Sequence, residues 1–145
     1  MNHRRMKWTA GTLALVAALA YLYDPPWLGG VTSGFFQWEY PPGEPVFRWT
    51  TGRASLFIPG NATTVMIPMR SLFPGPDGGP VTVRVSVDDR FLATITLTDP
   101  GAWVRDELPL GRRSTRRRHR RIDLRVNRVV RPRMVGVMTG PPTVW

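Results

Sequence analysis

Apolar and polar residues alternate with period two along most of this chain. From Val81 to Asp88, the four valines Val81, Val83, Val85 and Val87 share one side, and Thr82, Arg84, Ser86 and Asp88 share the other. Successive side chains of extended backbone point to opposite faces, so the pattern predicts a strand buried on one face. Asp88-Asp89 then predicts a turn, and Phe91, Ala93, Ile95 and Leu97 alternate with threonines after it. The two runs predict a hairpin.

Weaker alternation recurs elsewhere. Val65, Ile67 and Met69 fall on one side, with Pro68 marking an edge or bulge. Leu56 and Ile58 form a short pattern, as do Val104, Asp106 and Leu108 set against Trp103, Arg105 and Glu107. Ile122, Leu124 and Val126 are expected inward, with Arg121, Asp123 and Arg125 outward, and MVGVM and PPTVW complete the set. No helical period occurs beyond Tyr23, and 15 prolines and 14 glycines supply turns. About eight short strands at this spacing predict an all-β fold, a jelly-roll-like antiparallel β-sandwich over residues 35–145.

The N-terminus breaks the pattern. MNHRRMK precedes sixteen uncharged residues, Trp8 to Tyr23, and Asp24-Pro25-Pro26 ends any helix there. The segment lacks a polar face, which argues against a core helix of a soluble protein. Basic residues before an apolar run hold the N-terminus in the cytoplasm and send the following chain across the membrane. Residues 1–23 are thus expected to act as a signal-anchor, leaving a single-pass protein with its C-terminal domain outside the cytoplasm. Sixteen helical residues span roughly 24 Å against a hydrocarbon core of about 30 Å. Trp8, Tyr21 and Tyr23 at the interfaces make up the shortfall, but Ala18-Leu19-Ala20 also fits a cleavage site that would release the body. Residues 24–34, rich in glycine, read as a linker.

Charge adds a local feature. The chain carries a net +10, yet GRRSTRRRHRR at 111–121 holds seven of its arginines, and without them the body after Ala20 balances 10 arginines against 10 acids. Arg112, Arg113, Arg116, Arg117, Arg118, Arg120 and Arg121 are therefore expected to form a solvated loop whose guanidiniums suit phosphate or carboxylate.

Catalytic chemistry finds little to stand on. There is no cysteine, the two histidines are both flanked by arginine, and the acids are scattered. A nucleophile–base pair, a histidine zinc site and a phosphate-cradling glycine loop are each hard to build from that inventory, so neither enzyme activity nor a cofactor or metal is expected. Aromatic residues cluster early in the body. Sugars lay their C–H faces on exposed rings, so Trp38, Tyr40, Trp49 and Trp103 are candidate glycan contacts, with Glu39, Arg48 and Arg105 as polar partners. For Trp49 and Trp103 the competing reading is core filling.

The succession FFQWEYPPGEPVFRWTTGRASLFIP, VTVRVSVDDRFLATITLTD, AWVRDELPL, RIDLRV, RPR and GVMTGPPTV resembles the galactose-binding-like, jelly-roll carbohydrate modules of bacterial membrane and exported proteins. The resemblance covers residues 34–144 and lies in the order of the phrases. Asp89 stands where those hairpins usually carry glycine. The resemblance implies a sandwich fold and recognition of an envelope glycan by a membrane-tethered, non-catalytic module. An alternative is a structural subunit of a membrane glycan-assembly complex, its arginine loop contacting an acidic protein or anionic lipid. Nucleic acid ranks third and requires that the N-terminus not direct export.

Overall fold

The structure, a computed structural model, describes residues 3–112 and 117–129, the first five by backbone alone. A helix, α1 (His3–Tyr23), is followed by a 3-10 turn (Pro26–Gly30) and seven strands. These are β1 (Thr32–Glu39), β2 (Phe47–Pro59), β3 (Thr64–Met66), β4 (Val81–Val87), β5 (Arg90–Leu97), β6 (Glu107–Pro109) and β7 (His119–Val126). Five strands form one antiparallel sheet in the order β1-β2-β7-β4-β5, and β3 and β6 form a second, two-stranded sheet. The expected strands MVGVM and PPTVW lie outside the described residues.

Alternation placed β4 and β7 correctly. The four valines of β4 are buried, as are Ile122 and Leu124 of β7, and Val85 and Ile122 are fully enclosed. Each such side chain contributes about 1.5–3 kcal/mol when removed from water, so this valine–isoleucine face is the main cohesive element. Val65, Ile67, Met69, Val104 and Leu108 from the small sheet and its extension pack against the same core. The bridge between Met69 and Val104 lengthens that small sheet, with reciprocal amide–carbonyl bonds of 3.0 and 2.8 Å.

The hairpin between β4 and β5 departs from strict alternation. Asp88 and Asp89 both have positive φ, 49° and 65°, and link the facing pair Val87 and Arg90. Positive φ at both central residues is the type I′ turn, whose twist matches the strands it joins. A register shift follows beside Val85 and Ser86, so Phe91 faces Ser86 and lies exposed while Leu92 packs toward the core. The sequence expectation that Phe91 joins Ile95 and Leu97 inside is corrected by this bulge, which inserts one residue and swaps faces.

The expected linker is partly structured. The turn at Pro26–Gly30 packs on β2, and Thr32 and Ser33 already pair with Leu56 and Ser55. Gly34 has φ 72°, and a Cβ there would overlap the carbonyl oxygen of Arg53, so only glycine permits this approach of β1 to β2.

Helix α1 stands apart from the sheets. Every residue from Trp8 to Tyr23 is exposed. Among the described residues, no helix is long and apolar enough to cross a membrane.

Candidate ligand-binding surfaces

The early aromatic residues separate into two groups, each organised by an arginine. In the first, the Arg48 guanidinium lies 4.1 Å from the Phe35 ring centre and 4.5 Å from that of Trp38. Arg48 also donates to the Thr32 hydroxyl at 3.2 Å. Trp38 and Arg48 face each other across β1 and β2, so strand pairing creates the contact. Trp38 remains 52% exposed and Tyr40, just past the end of β1, 73%. Glu39 is exposed and in register with Phe47, which puts it on the opposite face of β1 from Trp38 and Arg48.

The second group surrounds Phe47. Trp49 meets the Phe47 ring edge-on at 5.3 Å and Trp103 meets it at 6.2 Å. Arg70 stacks on Phe47 and Trp103 at 4.6 and 4.8 Å and pairs with Glu44 at 2.7 Å. The Arg70 Nε is buried without a hydrogen-bond acceptor. Trp49 and Trp103 are half-buried and fall outside the hydrophobic core. Neither core filling nor open display describes them: they wall a cation-centred aromatic cluster. Arg105 is exposed between Val104 and β6 and joins neither group's ring contacts. Sequence reading did not select Phe35, Glu44, Phe47 or Arg70. Glu44 lies in a proline-flanked turn and Arg70 ends an alternating run, so no local signal links them.

The arginine run also divides. Arg120 does not belong to a solvated loop: it is 5% exposed and sits in β7 on the inward side with Ile122 and Leu124. Its Nε meets Asp88 Oδ2 at 3.0 Å, and its Nη1 donates to the carbonyls of Leu110 and Gly111 at 3.4 and 3.2 Å. Arg121, also in β7, is held by Asp89 and by Asp123, the latter at 2.9 Å. The hydrogen bond that Arg121 donates to Asp123 is the main cause that raises the Arg121 pKa above the ordinary arginine value. Both guanidiniums are committed to the fold. Two members of the expected anion site are therefore structural, because β7 begins at His119 and not past the run.

Arg117 and Arg118 meet the end of α1. The Arg117 guanidinium stacks on Tyr23 at 4.4 Å. Arg118 donates its backbone N–H to Asp24 at 2.8 Å, with its guanidinium 3.9 Å from the same carboxylate. Arg112 is exposed. Arg113 and Arg116 lie outside the described residues. Among the described residues, no three histidine or acidic side chains gather as metal ligands would.

In comparisons with known proteins, no family matches this chain, and neither does any curated protein.

Proposed function

We propose that the chain is a membrane-tethered, exported module of jelly-roll-like type that recognises an envelope glycan and does no catalysis. The observation that carries the reading is the exposure of Trp38 and Tyr40 at the end of β1, with the Arg48 guanidinium stacked on the Trp38 ring; we read the two rings as one ledge. An exposed aromatic face takes the C–H side of a sugar, and the guanidinium behind it limits the ring's motion before binding, which lowers the ordering cost.

The tether reading draws on α1. Sixteen consecutive exposed residues without a charge are costly in water and cheap in lipid. The uncharged run is shorter than the hydrocarbon core, and in a bilayer Trp8, Tyr21, Tyr23 and Trp27 would occupy the two interfaces.

The test is glycan-array binding of the full chain in detergent micelles, beside Trp38→Ala and Tyr40→Ala. The reading expects binding to a bacterial polysaccharide that both substitutions weaken. Silence across the array, or binding unaffected by either change, would overturn it. A second reading, a non-catalytic subunit of a membrane complex, draws on the arginines at the foot of α1, where an acidic protein or anionic lipid would meet them. Stoichiometric co-purification of a membrane protein in mild detergent, without retention on polysaccharide resin, would favour that second reading.

A further inference from the structure

The outer face of the five-stranded sheet carries an arrangement unrelated to the arginine run. Arg53 of β2 lies directly opposite Arg125 of β7, and Arg125 directly opposite Arg84 of β4. Their inward neighbours Ala54, Leu124, Val83 and Val85 are all buried, so the three guanidiniums project from the same outer face, and all three residues are exposed. Thr94 of β5 continues the row beyond Arg84. Neighbouring strands lie about 4.8 Å apart, so three arginines start from backbone positions at that spacing in a line across the sheet.

Like charges placed opposite one another on paired strands oppose folding. Among the described residues, none of the three forms an ion pair, and Asp123, a carboxylate on the same face two residues from Arg125, is already engaged by Ser55 and Arg121. The row is flanked by hydroxyls, with Thr82 and Thr96 paired on one side and Ser55 and Ser86 each facing Asp123 on the other. At one end, Arg84 stacks 4.7 Å from the ring centre of exposed Phe91. The bulge that turned Phe91 outward thus created a ring beside the last cation.

We infer that the Arg53–Arg125–Arg84 row is a binding site for an acidic polysaccharide bearing one carboxylate per sugar, such as a polyuronate, lying across the strands. Alternate sugars of an extended chain turn their carboxylates to the same side, about two strand spacings apart, so such carboxylates meet Arg53 and Arg84 while Arg125 between them can close on either. Each guanidinium can hold a carboxylate through two hydrogen bonds. The flanking threonines and serines offer partners for sugar hydroxyls, and Phe91 offers an apolar face. A nucleic acid strand would need several rings for its bases, and the one ring beside this row, Phe91, does not make a base-stacking platform. The site uses none of the residues on which the preceding reading rests.

The experiment is calorimetry on the full chain in detergent micelles, titrated with a size-defined oligogalacturonate, a neutral dextran oligomer and poly(U). The expected result is oligogalacturonate binding that weakens with added salt, lost about tenfold or more in the triple variant Arg53→Gln, Arg84→Gln, Arg125→Gln. Arg125→Glu alone should also abolish binding while raising the thermal midpoint, since it turns two repulsive pairs into attractive ones. That variant keeps the test open should the triple variant fold poorly. Arg90→Gln, at an exposed arginine off the row, should leave oligogalacturonate binding intact, which separates the row from diffuse positive charge. No oligogalacturonate binding by the wild type, unchanged binding by Arg125→Glu, or tighter binding of poly(U) would each overturn the assignment.

Discussion

Replacing Arg120 with methionine removes a cation that the fold has enclosed while keeping much of its apolar stem. Three contacts vanish together: the ion pair with Asp88 at 3.0 Å and the bonds to the carbonyls of Leu110 and Gly111. Asp88, whose side chain is 15% exposed, keeps the backbone N–H of Arg121 at 3.1 Å. Breaking one side of a buried pair costs about 3–5 kcal/mol, because the remaining charge is left uncompensated. The surviving donor to Asp88 and the packing of the methionine place the expected loss at the lower end, about 3 kcal/mol. A domain of this size has about 5–15 kcal/mol in total, so that loss moves the urea midpoint visibly. Arg118→Met is the matched control. Arg118 is 69% exposed and 3.9 Å from its carboxylate, so its loss should stay within about 1 kcal/mol. The double variant Arg120→Met, Asp88→Asn should recover part of the single-variant loss, since removing both charges costs less than orphaning one. Urea unfolding of the three variants and wild type, followed by tryptophan fluorescence, supplies the comparison. Equal midpoints for the Arg120 and Arg118 variants would refute the division of the run into structural and surface arginines.

Other positions give sharp expectations. Gly34→Ala forces a side chain at φ 72° into the Arg53 carbonyl, and should cost about 2 kcal/mol or more, read as a lower thermal midpoint. Asp89→Gly fits the second residue of the type I′ turn better and loses only an exposed ion pair, so stability should rise by about 0.5 kcal/mol in the same assay. The raised pKa of Arg121 means that its contribution is complete below the ordinary arginine range and is lost only as pH climbs through the still higher folded value. Wild-type stability should therefore show no alkaline loss from this group up to about pH 11, whereas Arg121→Lys, whose ordinary value is about 10.4, should begin to lose stability near there.

What could be read from the chain alone follows the range of each interaction. The burial of Val81, Val83, Val85, Val87, Ile122 and Leu124 is a local consequence of period-two geometry, and it was legible. Extending that period two residues back from Ile122 puts Arg120 on the same inward face. Charge argued the other way, and the deciding partner, Asp88, lies 32 residues earlier in the β4–β5 turn. The exposure of Phe91 turned on a bulge that no residue announces. Arg84 and Arg125 were expected outward, but their alignment with Arg53 exists only because β7 pairs between β2 and β4. Trp103 and Arg70 join Trp49 at Phe47, so the partly buried state of the two tryptophans depends on three separated segments. The ledge of Trp38 and Tyr40 was closest to a sequence-level reading, since both residues flank a proline-rich bend.

We propose that α1 resides in lipid and delivers the sheets to its far side, where sugars and not nucleic acids await them. Paired C-terminal fusions test it in living bacteria: a phosphatase active only after export, and a fluorescent protein that matures only in the cytosol. The account expects phosphatase activity in the membrane fraction and a dark fluorescent fusion. A bright, soluble cytosolic fusion with an inactive phosphatase would contradict it.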